Sequence, residues 1–526
     1  MRRVSPVIFD GWGSLIRRVS WVACRNKPTS CVAMKSITSL FTALILAVSL
    51  STPRMAAGTK PNIIVILADD LGWGSAGCCG ADEALLRTPA IDRLAREGRC
   101  FTQAYVSASI CTPSRYSFLT GRYCWRGPLK FEVIGSTDPL LIESGRPTVA
   151  SMLRQQGYTT AVIGKWHLGF GSSKPVDYTA SLKPGPLETG FDYFYGIPSN
   201  HGDGTGVYLD TTKEADGSSV VKVEGLRSSK LEPFGKTAYG GQFIGLDAPQ
   251  RVNEEVMPHL TQKAISWIDT QRATGKPFFL YFSSVAAHSP STPSDKTKGT
   301  SKAGIYGDWI HELDRSVGDL TAALDRMGLS ENTLLVFTSD NGGEDRNFAR
   351  DERKAIAEGL KINGPLRAGK HSIFEGGLRV PFIVRWPGRI PAGSTGGESL
   401  CLVDLYATFA NLVGAELPPP AAGAEDSFNM LPAMLGEQST GPSRPPIVGH
   451  SGWGVFSVRK GPWKWIEGKY ATKKRPKGSG DQFEPQLYHL GDDPGETRNL
   501  IKEHPEIATE LSALLETWRQ QGHSRN

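Results

Sequence analysis

The sequence predicts an α/β protein: a large doubly wound mixed sheet flanked by helices, with a smaller C-terminal subdomain made of an antiparallel sheet and a helix. From about residue 62 to residue 413, apolar strand-like segments alternate with amphipathic helical segments, which is the pattern of a doubly wound sheet. After a stretch at 418–446 that is rich in Pro, Gly, Ala and Ser, short strand-like segments follow one another and a helix comes last. We therefore expect a leader at 1–57, the main α/β domain at 58–440 and the C-terminal subdomain at 441–526.

The leader has the features of a secretory signal. Met34 and Lys35 are followed by an apolar core at 40–50 and by small residues up to Ala57, so 34–57 is predicted to be a signal peptide. The apolar core is too short to span a bilayer comfortably, and we expect no membrane span. Residues 1–33 are rich in arginine and show no domain pattern, so translation is hypothesised to start at Met34. We expect the protein to be exported to a periplasmic, secreted or lysosome-like compartment.

The composition is that of an ordinary globular protein. Hydrophobic residues make up 39% and charged residues 21% of the chain, and the formal net charge is +6. The basic run at 473–477 is local. We interpret it first as a solvated loop and only second as a contact for an anionic polymer. Nothing resembles a nucleic-acid-binding module, so no nucleic acid partner is expected. The eight cysteines show no Cys-x-x-Cys pairing of the zinc type, and disulfide connectivity stays open.

The first elements are a buried strand and a capped helix. The β-branched run at 62–68 indicates a strand that is buried on both faces, and Asp69 and Asp70 follow it directly. A helix is predicted between Thr88 as its cap and Gly98 as its stop. A short strand at 101–106 then leads into the next helix.

The segment 109–122 is predicted to hold a helix that is capped by Thr112 and ends at Gly121. Cys111 then sits just before the helix N-terminus, where backbone N–H groups attract an anion, and Arg115 can point back toward the same place. A thiol beside a guanidinium and a helix N-terminus is typical of a reactive site. The alternative is a buried cysteine in a loop.

The later elements repeat the alternation, and polar residues follow the strands. Helices are expected at 147–157, 258–272, 307–327 and 403–413, and strands at 159–164, 277–282, 333–339 and 381–386; the span 170–250 reads as long loops or an insertion. Lys165 and His167, His288, and Asp340 with Asn341 come at or just past strand ends, as Asp69 and Asp70 do.

Ligand sites of open α/β sheets form at the carboxyl ends of the strands, so these polar groups are expected to converge. The acids and the amide make an all-oxygen set that suits a hard divalent cation such as Ca²⁺ or Mg²⁺. The alternative for each pair alone is a turn or a helix cap.

The sequence Cys-Thr-Pro-Ser-Arg at 111–115, followed by Leu-Thr-Gly-Arg at 119–122, resembles the signature of the type I sulfatases, the formylglycine-dependent members of the alkaline phosphatase superfamily. The resemblance covers about residues 60–500 and is nearest to the arylsulfatase A and N-acetylgalactosamine-6-sulfatase type. It includes the Gly-Lys-Trp-His motif at 164–167 and the motif around Lys370.

The resemblance implies a complete catalytic set. A formylglycine-generating enzyme would oxidise Cys111 to formylglycine (3-oxoalanine), whose hydrate is the nucleophile. One Ca²⁺ would be bound by Asp69, Asp70, Asp340 and Asn341 together with residue 111. Arg115 would stabilise charge, and Lys165 with His167 would contact formylglycine and sulfate. Lys370 would bind the sulfate, and His288 would protonate the leaving group.

We therefore expect an exported sulfuric ester hydrolase with 58–440 as its catalytic domain. Its substrate would be a sulfated glycan or an aryl sulfate. The alternatives are a phosphonate or phosphate monoester hydrolase of the same superfamily and a catalytically silent glycan-binding protein in which Cys111 is never converted.

Overall fold

A ten-stranded mixed sheet lies at the centre of the protein. The computed structural model describes residues 60–177, 182–201, 208–213, 219–224, 231–236, 242–246, 252–345, 350–437, 444–470 and 484–525. The leader predicted at 1–57 and the predicted domain boundary after residue 440 lie outside these ranges, so both stay predictions. Lys60 to Asn526 form one compact unit.

The sheet is built on five parallel strands. These are β1 (Asn62–Ala68), β4 (Thr159–Lys165), β5 (Tyr193–Ile197), β10 (Phe278–Ser283) and β11 (Thr333–Ser339), in the spatial order β11-β1-β10-β4-β5. On the β11 side, β12 (Phe382–Arg385), β2 (Arg99–Phe101) and β13 (Ser394–Gly396) extend the sheet. On the β5 side, β6 (Tyr208–Lys213) and β7 (Ser219–Glu224) are added antiparallel.

Helices cover both faces of this sheet, which confirms the predicted doubly wound fold. One face packs against α1 (Pro89–Glu97), α4 (Val256–Thr274), α5 (Gly304–Arg326) and α6 (Arg350–Ala357). The other face packs against α2 (Cys111–Thr120), α3 (Val149–Gln155), α8 (Leu405–Val413) and α9 (Leu431–Leu435). The short helix α7 (Glu375–Leu378) precedes α8 in the chain. Successive residues of β1 alternate between the two cores, so all seven are buried, as a parallel central strand requires.

The C-terminal residues form the predicted antiparallel sheet with its helix. Strands β15 (Ile447–His450), β16 (Phe456–Lys460), β17 (Trp463–Ile466) and β18 (Gln486–His489) make an antiparallel sheet in sequence order, and α10 (Pro505–Gln521) packs on it. Two small two-stranded pairings complete the set: β3 (Ala104–Tyr105) with β14 (Leu400–Cys401), and β8 (Leu231–Lys236) with β9 (Gln242–Leu246).

Several predicted details are wrong. The strand predicted at 101–106 is two short strands, and the span 170–250 contains β5 and two hairpins besides loops. Helix α2 begins at Cys111 itself after Ile110, so Thr112 lies inside the helix, where its hydroxyl donates to the carbonyl of His167 instead of capping the helix. Thr88 does precede α1, but its hydroxyl accepts the N–H of Gly77 and caps nothing.

The six cysteines in the described part of the chain are free thiols. Within the same ranges, no helix combines the length and the apolar character that crossing a bilayer requires.

Candidate active site

Four neighbouring strands deliver seven of the ten predicted site residues to one edge of the sheet, and α2 and the segment before α7 deliver the other three. β11, β1, β10 and β4 are adjacent and parallel, so their carboxyl ends meet there. The structure brings together all ten side chains, namely Asp69, Asp70, Cys111, Arg115, Lys165, His167, His288, Asp340, Asn341 and Lys370.

Cys111 is the first residue of α2, and its thiol points into a group of carboxylates. Its Sγ lies 3.6 Å from Oδ1 of Asp69 and 3.7 Å from Oδ1 of Asp70. The side chain is buried. Burial and the charge of Asp340 raise the pKa of the thiol well above its usual value, so Cys111 is a neutral thiol in this arrangement.

The acidic side chains are arranged as a ligand set. Four buried residues each offer one ligand atom, and these atoms lie within 4.8 Å of one another; the residues are Asp69, Asp70, Asp340 and Cys111. Asn341 donates from Nδ2 to Oδ1 of Asp70 at 2.7 Å, and its own Oδ1 is buried without a hydrogen-bond partner among the described residues. A buried carbonyl oxygen without a donor is costly unless a cation takes that place, so the donor set fits a hard divalent cation.

Each carboxylate lies against at least one basic side chain, and Asp69 also lies 3.3 Å from Arg115 Nη2. Lys165 Nζ lies 2.7 Å from Asp69 Oδ2, and Arg115 Nη2 lies 2.7 Å from Asp340 Oδ2. Lys370 Nζ lies 2.5 Å from Asp70 Oδ2. The three acids and three bases balance, so a divalent cation added to this set would leave an excess of two positive charges for an anionic ligand.

Burial and ion pairing act in opposite directions on these groups. Burial favours the neutral forms, but Lys370 and His288 still hold the pKa of Asp70 at about 2. Likewise Asp70 raises the pKa of Lys370, and Asp340 raises that of Arg115, above the usual values despite burial. Asp70, Lys370 and Arg115 therefore stay ionised in the interior because oppositely charged groups face them.

The two histidines are held by backbone carbonyls. His167 Nε2 lies 2.9 Å from the carbonyl of Ile134 and donates to it, so Nδ1 carries no proton and has no partner among the residues described. Burial and the charge of Lys165 lower the pKa of His167 well below its usual value. His288 Nδ1 donates to the carbonyl of Ser289, and its Nε2 lies 3.7 Å from Asp70 Oδ2. Burial and Lys370 lower the pKa of His288 as well.

Sequence reasoning missed two side chains that hold Arg115. The Nη1 group of Arg115 lies 2.5 Å from Ser283 Oγ and 3.3 Å from the hydroxyl of Tyr281, both on β10. Alternate residues of β10 point to the same face, and Ser283 ends the strand at the site edge. This alternation is the only signal in the sequence that Tyr281 and Ser283 share a face of the strand. It does not show which polar residue of a strand contacts the site.

The chain is similar to known proteins over most of its length. The model of the sulfatase family matches residues 61–415. An N-acetylgalactosamine-6-O-sulfatase from Bacteroides thetaiotaomicron is 36% identical over 488 residues, which cover 87% of this chain and 93% of that protein. Human arylsulfatase A is 34% identical over 477 residues, covering 85% of this chain and 84% of that protein.

Solved structures agree with these matches. One from work on glycosaminoglycan metabolism by Bacteroides thetaiotaomicron has a TM-score of 0.78 at 33% identity and covers 88% of this chain and 100% of its own. A phosphonate monoester hydrolase from Agrobacterium radiobacter has a TM-score of 0.55 at 17% identity, covering 88% and 96%, and so shares the fold alone. The chain belongs to the sulfatase family and is a sulfuric ester hydrolase.

Proposed function

We propose that this sulfatase removes sulfate from sulfated carbohydrates, with 6-sulfated N-acetylgalactosamine as the first substrate to test. The relatives that support this substrate class are N-acetylgalactosamine-6-sulfatases, 32 to 36% identical to this chain. The observation that carries the chemistry is Cys111, whose Sγ lies between the carboxylates of Asp69 and Asp70 at the start of α2.

The site would hold two groups beyond the encoded side chains. Asp69, Asp70, Asp340 and Asn341 would hold Ca²⁺, together with residue 111. Converted to formylglycine, residue 111 supplies as its hydrate one hydroxyl that attacks sulfur and a second that allows sulfate to be expelled. A formylglycine-generating enzyme is the partner that this conversion requires.

The basic residues bind and orient the sulfate. Lys165, Lys370 and Arg115 all lie within 3.3 Å of carboxylate oxygens at the site. A divalent cation held by Asp69, Asp70 and Asp340 would neutralise part of their charge, and the ammonium groups of Lys165 and Lys370 could then contact the sulfate oxygens. The positive field so formed stabilises the charge that builds on sulfate oxygen in the transition state.

The histidines move protons at opposite ends of the reaction. His288 Nε2 faces the carboxylate cluster, and because Nδ1 donates to the carbonyl of Ser289, Nε2 carries a proton only in the imidazolium form, which can give that proton to the leaving alcohol oxygen. His167 keeps its proton on Nε2, so Nδ1 is a bare acceptor that can take a proton from a hydroxyl at residue 111. The fixed tautomer is what suits His167 to the role of base.

Mass spectrometry of the peptide around residue 111, with free sulfate measured on sulfated sugars, tests this proposal. The expected result is an aldehyde in place of the thiol, sulfate released from 6-sulfated N-acetylgalactosamine, and no turnover by Cys111→Ala with its fold retained. Active protein with an intact thiol would overturn the formylglycine assignment. Faster release of phenol from an aryl phosphonate than from an aryl sulfate would favour the phosphonate hydrolase alternative.

Export is part of the proposal. We expect the signal peptide predicted at 34–57 to direct the protein to export. Sequencing the N-terminus of the purified mature protein tests this, since a chain that begins at residue 34 or upstream of it would retain the predicted signal and contradict the proposal.

A further inference from the structure

We propose that Trp453, supported by His371, forms a sugar-binding wall at the mouth of the active site. This inference rests on the proposed carbohydrate substrate and deepens it, because it assigns a binding role to a side chain of the C-terminal subdomain. It starts from where the otherwise buried site opens.

The degree of exposure locates the opening. The side chains of Asp69, Arg115 and Lys165 are 0% exposed. Those of His288 and Lys370 are 16% and 9% exposed. A substrate must therefore enter past His288 and Lys370, and the part of it that is not sulfate must stay near these two residues.

His371 follows Lys370 and is fixed against the catalytic segment. Its backbone N–H donates to the carbonyl of Ser109 at 2.7 Å, two residues before Cys111. Its φ of 69° lies in the left-handed region, which a residue other than glycine adopts only when its surroundings hold it there. His371 is half-buried and directly follows Lys370, one of the two partly exposed side chains of the site.

The C-terminal subdomain places Trp453 against this histidine. The N–H of Gly452 donates to the carbonyl of His371 at 3.1 Å, and the ring centroids of Trp453 and His371 are 5.5 Å apart with planes tilted by 33°. A Cβ at Gly452 would come within 2.8 Å of His371 Nδ1 and 3.2 Å of Ile110. The turn is thus packed directly on the residue before Cys111.

The turn that carries Trp453 is internally braced. The Ser451 hydroxyl oxygen accepts the N–H groups of Trp453 and Val455, at 3.2 and 3.0 Å. The Ser451 N–H donates to the carbonyl of Val455 at 2.8 Å. A tryptophan held on so rigid a turn loses little freedom when a ligand packs on it.

The chemistry of this wall fits a sugar ring. Trp453 is half-buried, so part of its side chain is accessible, and its indole offers an apolar face with a polar edge, against which the C–H face of a pyranose can pack. Lys370 donates to Asp70 at the candidate cation site, and His371 is the next residue. A sulfate bound by Lys370 would therefore hold its sugar beside His371 and Trp453.

The test compares Trp453→Ala, Trp453→Phe and the wild type on 6-sulfated N-acetylgalactosamine, with inorganic sulfate as a competing inhibitor. We expect Trp453→Ala to raise KM about tenfold, equivalent to about 1.4 kcal/mol, Trp453→Phe to stay within about threefold of wild type, and the sulfate inhibition constant to stay unchanged in both. Trp463→Ala is the matched control, because Trp463 is half-buried against His489 and His504 elsewhere in the C-terminal sheet.

An unchanged KM for Trp453→Ala in an enzyme that hydrolyses the sugar sulfate would overturn this inference and leave the proposed function standing. Hydrolysis of aryl sulfates alone by the wild type would overturn both. An equal rise in KM and in the sulfate inhibition constant would also overturn it, because the substitution would then have disturbed the sulfate pocket.

Discussion

Lys464 Nζ lies 3.0 Å from Oε1 of Glu375, and both side chains are almost completely buried. The same ammonium lies 2.9 Å from Oε1 of Glu496, so one lysine of the C-terminal sheet forms ion pairs with two carboxylates. Glu375 begins the short helix α7, and the carbonyl of Gly377 in that helix accepts the N–H of Gly342, the residue after Asn341. The C-terminal sheet thus supports the backbone beside the candidate cation site.

Removing this lysine should destabilise the protein strongly. Lys464→Met leaves Glu375 and Glu496 buried without their cation, and breaking a buried ion pair costs about 3–5 kcal/mol. Urea unfolding should show this loss in the free energy of unfolding. Lys460→Met is the control, because the Lys460–Glu510 pair is more than half exposed and should change the same quantity by less than about 1 kcal/mol. Equal effects of the two substitutions would contradict the role given to Lys464.

Asn341 should be needed for cation binding. Its buried Oδ1 is without a hydrogen-bond partner among the described residues, so Asn341→Ala removes an oxygen that fits a cation ligand, together with the hydrogen bond from Nδ2 to Asp70. We expect the Ca²⁺ affinity measured by titration calorimetry on the Cys111→Ala background to fall about tenfold or more. Asn411→Ala, on the exposed face of α8, should leave the affinity unchanged. An Asn341→Ala protein with unaltered affinity would remove Asn341 from the ligand set.

Removing the cation with a chelator should abolish activity while the protein stays folded, although with a lower melting temperature. The three acids already have basic partners, so the site without a cation remains charge-balanced. We expect dialysis against a chelator to abolish sulfate release and to lower the melting temperature, with both restored by Ca²⁺. A dialysed protein that keeps full activity would contradict a catalytic cation.

His167 should matter for turnover more than for binding. Its Nδ1 is a bare acceptor, and loss of a general base typically costs 10²–10⁴ in rate. We expect His167→Asn to lower kcat by about this factor while KM changes little, measured as steady-state sulfate release. His489→Ala, in β18 of the C-terminal sheet, should leave kcat near that of wild type. A His167→Asn enzyme with normal kcat would assign the base to another group.

The sequence could predict those parts of the site that follow strands. Asp69 and Asp340 come directly after apolar runs that are unmistakable as buried strands, so their convergence follows from the rule for parallel sheets. The start of α2 was mispredicted, because the Thr-Pro pair is a local capping signal and the hydroxyl of Thr112 is taken by the distant carbonyl of His167. No local pattern could pair Lys464 with Glu375, since their contact joins residues that are 89 positions apart.

Strand β5 shows the same limit within the fold. Its five residues contain three aromatics and a glycine, and they lie in a span rich in Gly, Pro and Ser that reads as a loop. Its place is fixed by pairing with β4, which buries Phe194 and Tyr195 on opposite faces. Short strands of this kind are determined by the neighbouring strand and not by their own pattern.

Asp314 is a buried acid outside the candidate site that should make stability depend on pH. It lies on α5, and its Oδ1 accepts the backbone N–H groups of Ala90 and Ile91 at the start of α1. Burial raises its pKa to about 6, and the nearby Asp92 contributes in the same direction, although the two N–H groups favour the charged form. The folded state therefore holds this proton more tightly than the unfolded state does.

A group with a raised pKa contributes stability below its unfolded pKa and loses that contribution as the pH rises through the folded value. Between about pH 4 and pH 6, the free energy of unfolding of the wild type should therefore fall relative to that of Asp314→Asn, by about 3 kcal/mol for a shift of about two units. Urea unfolding of both proteins at several pH values measures this difference. Asp319→Asn, on the exposed face of the same helix, serves as the control. A difference between wild type and Asp314→Asn that does not change with pH would show that the carboxyl of Asp314 titrates alike in the folded and unfolded states.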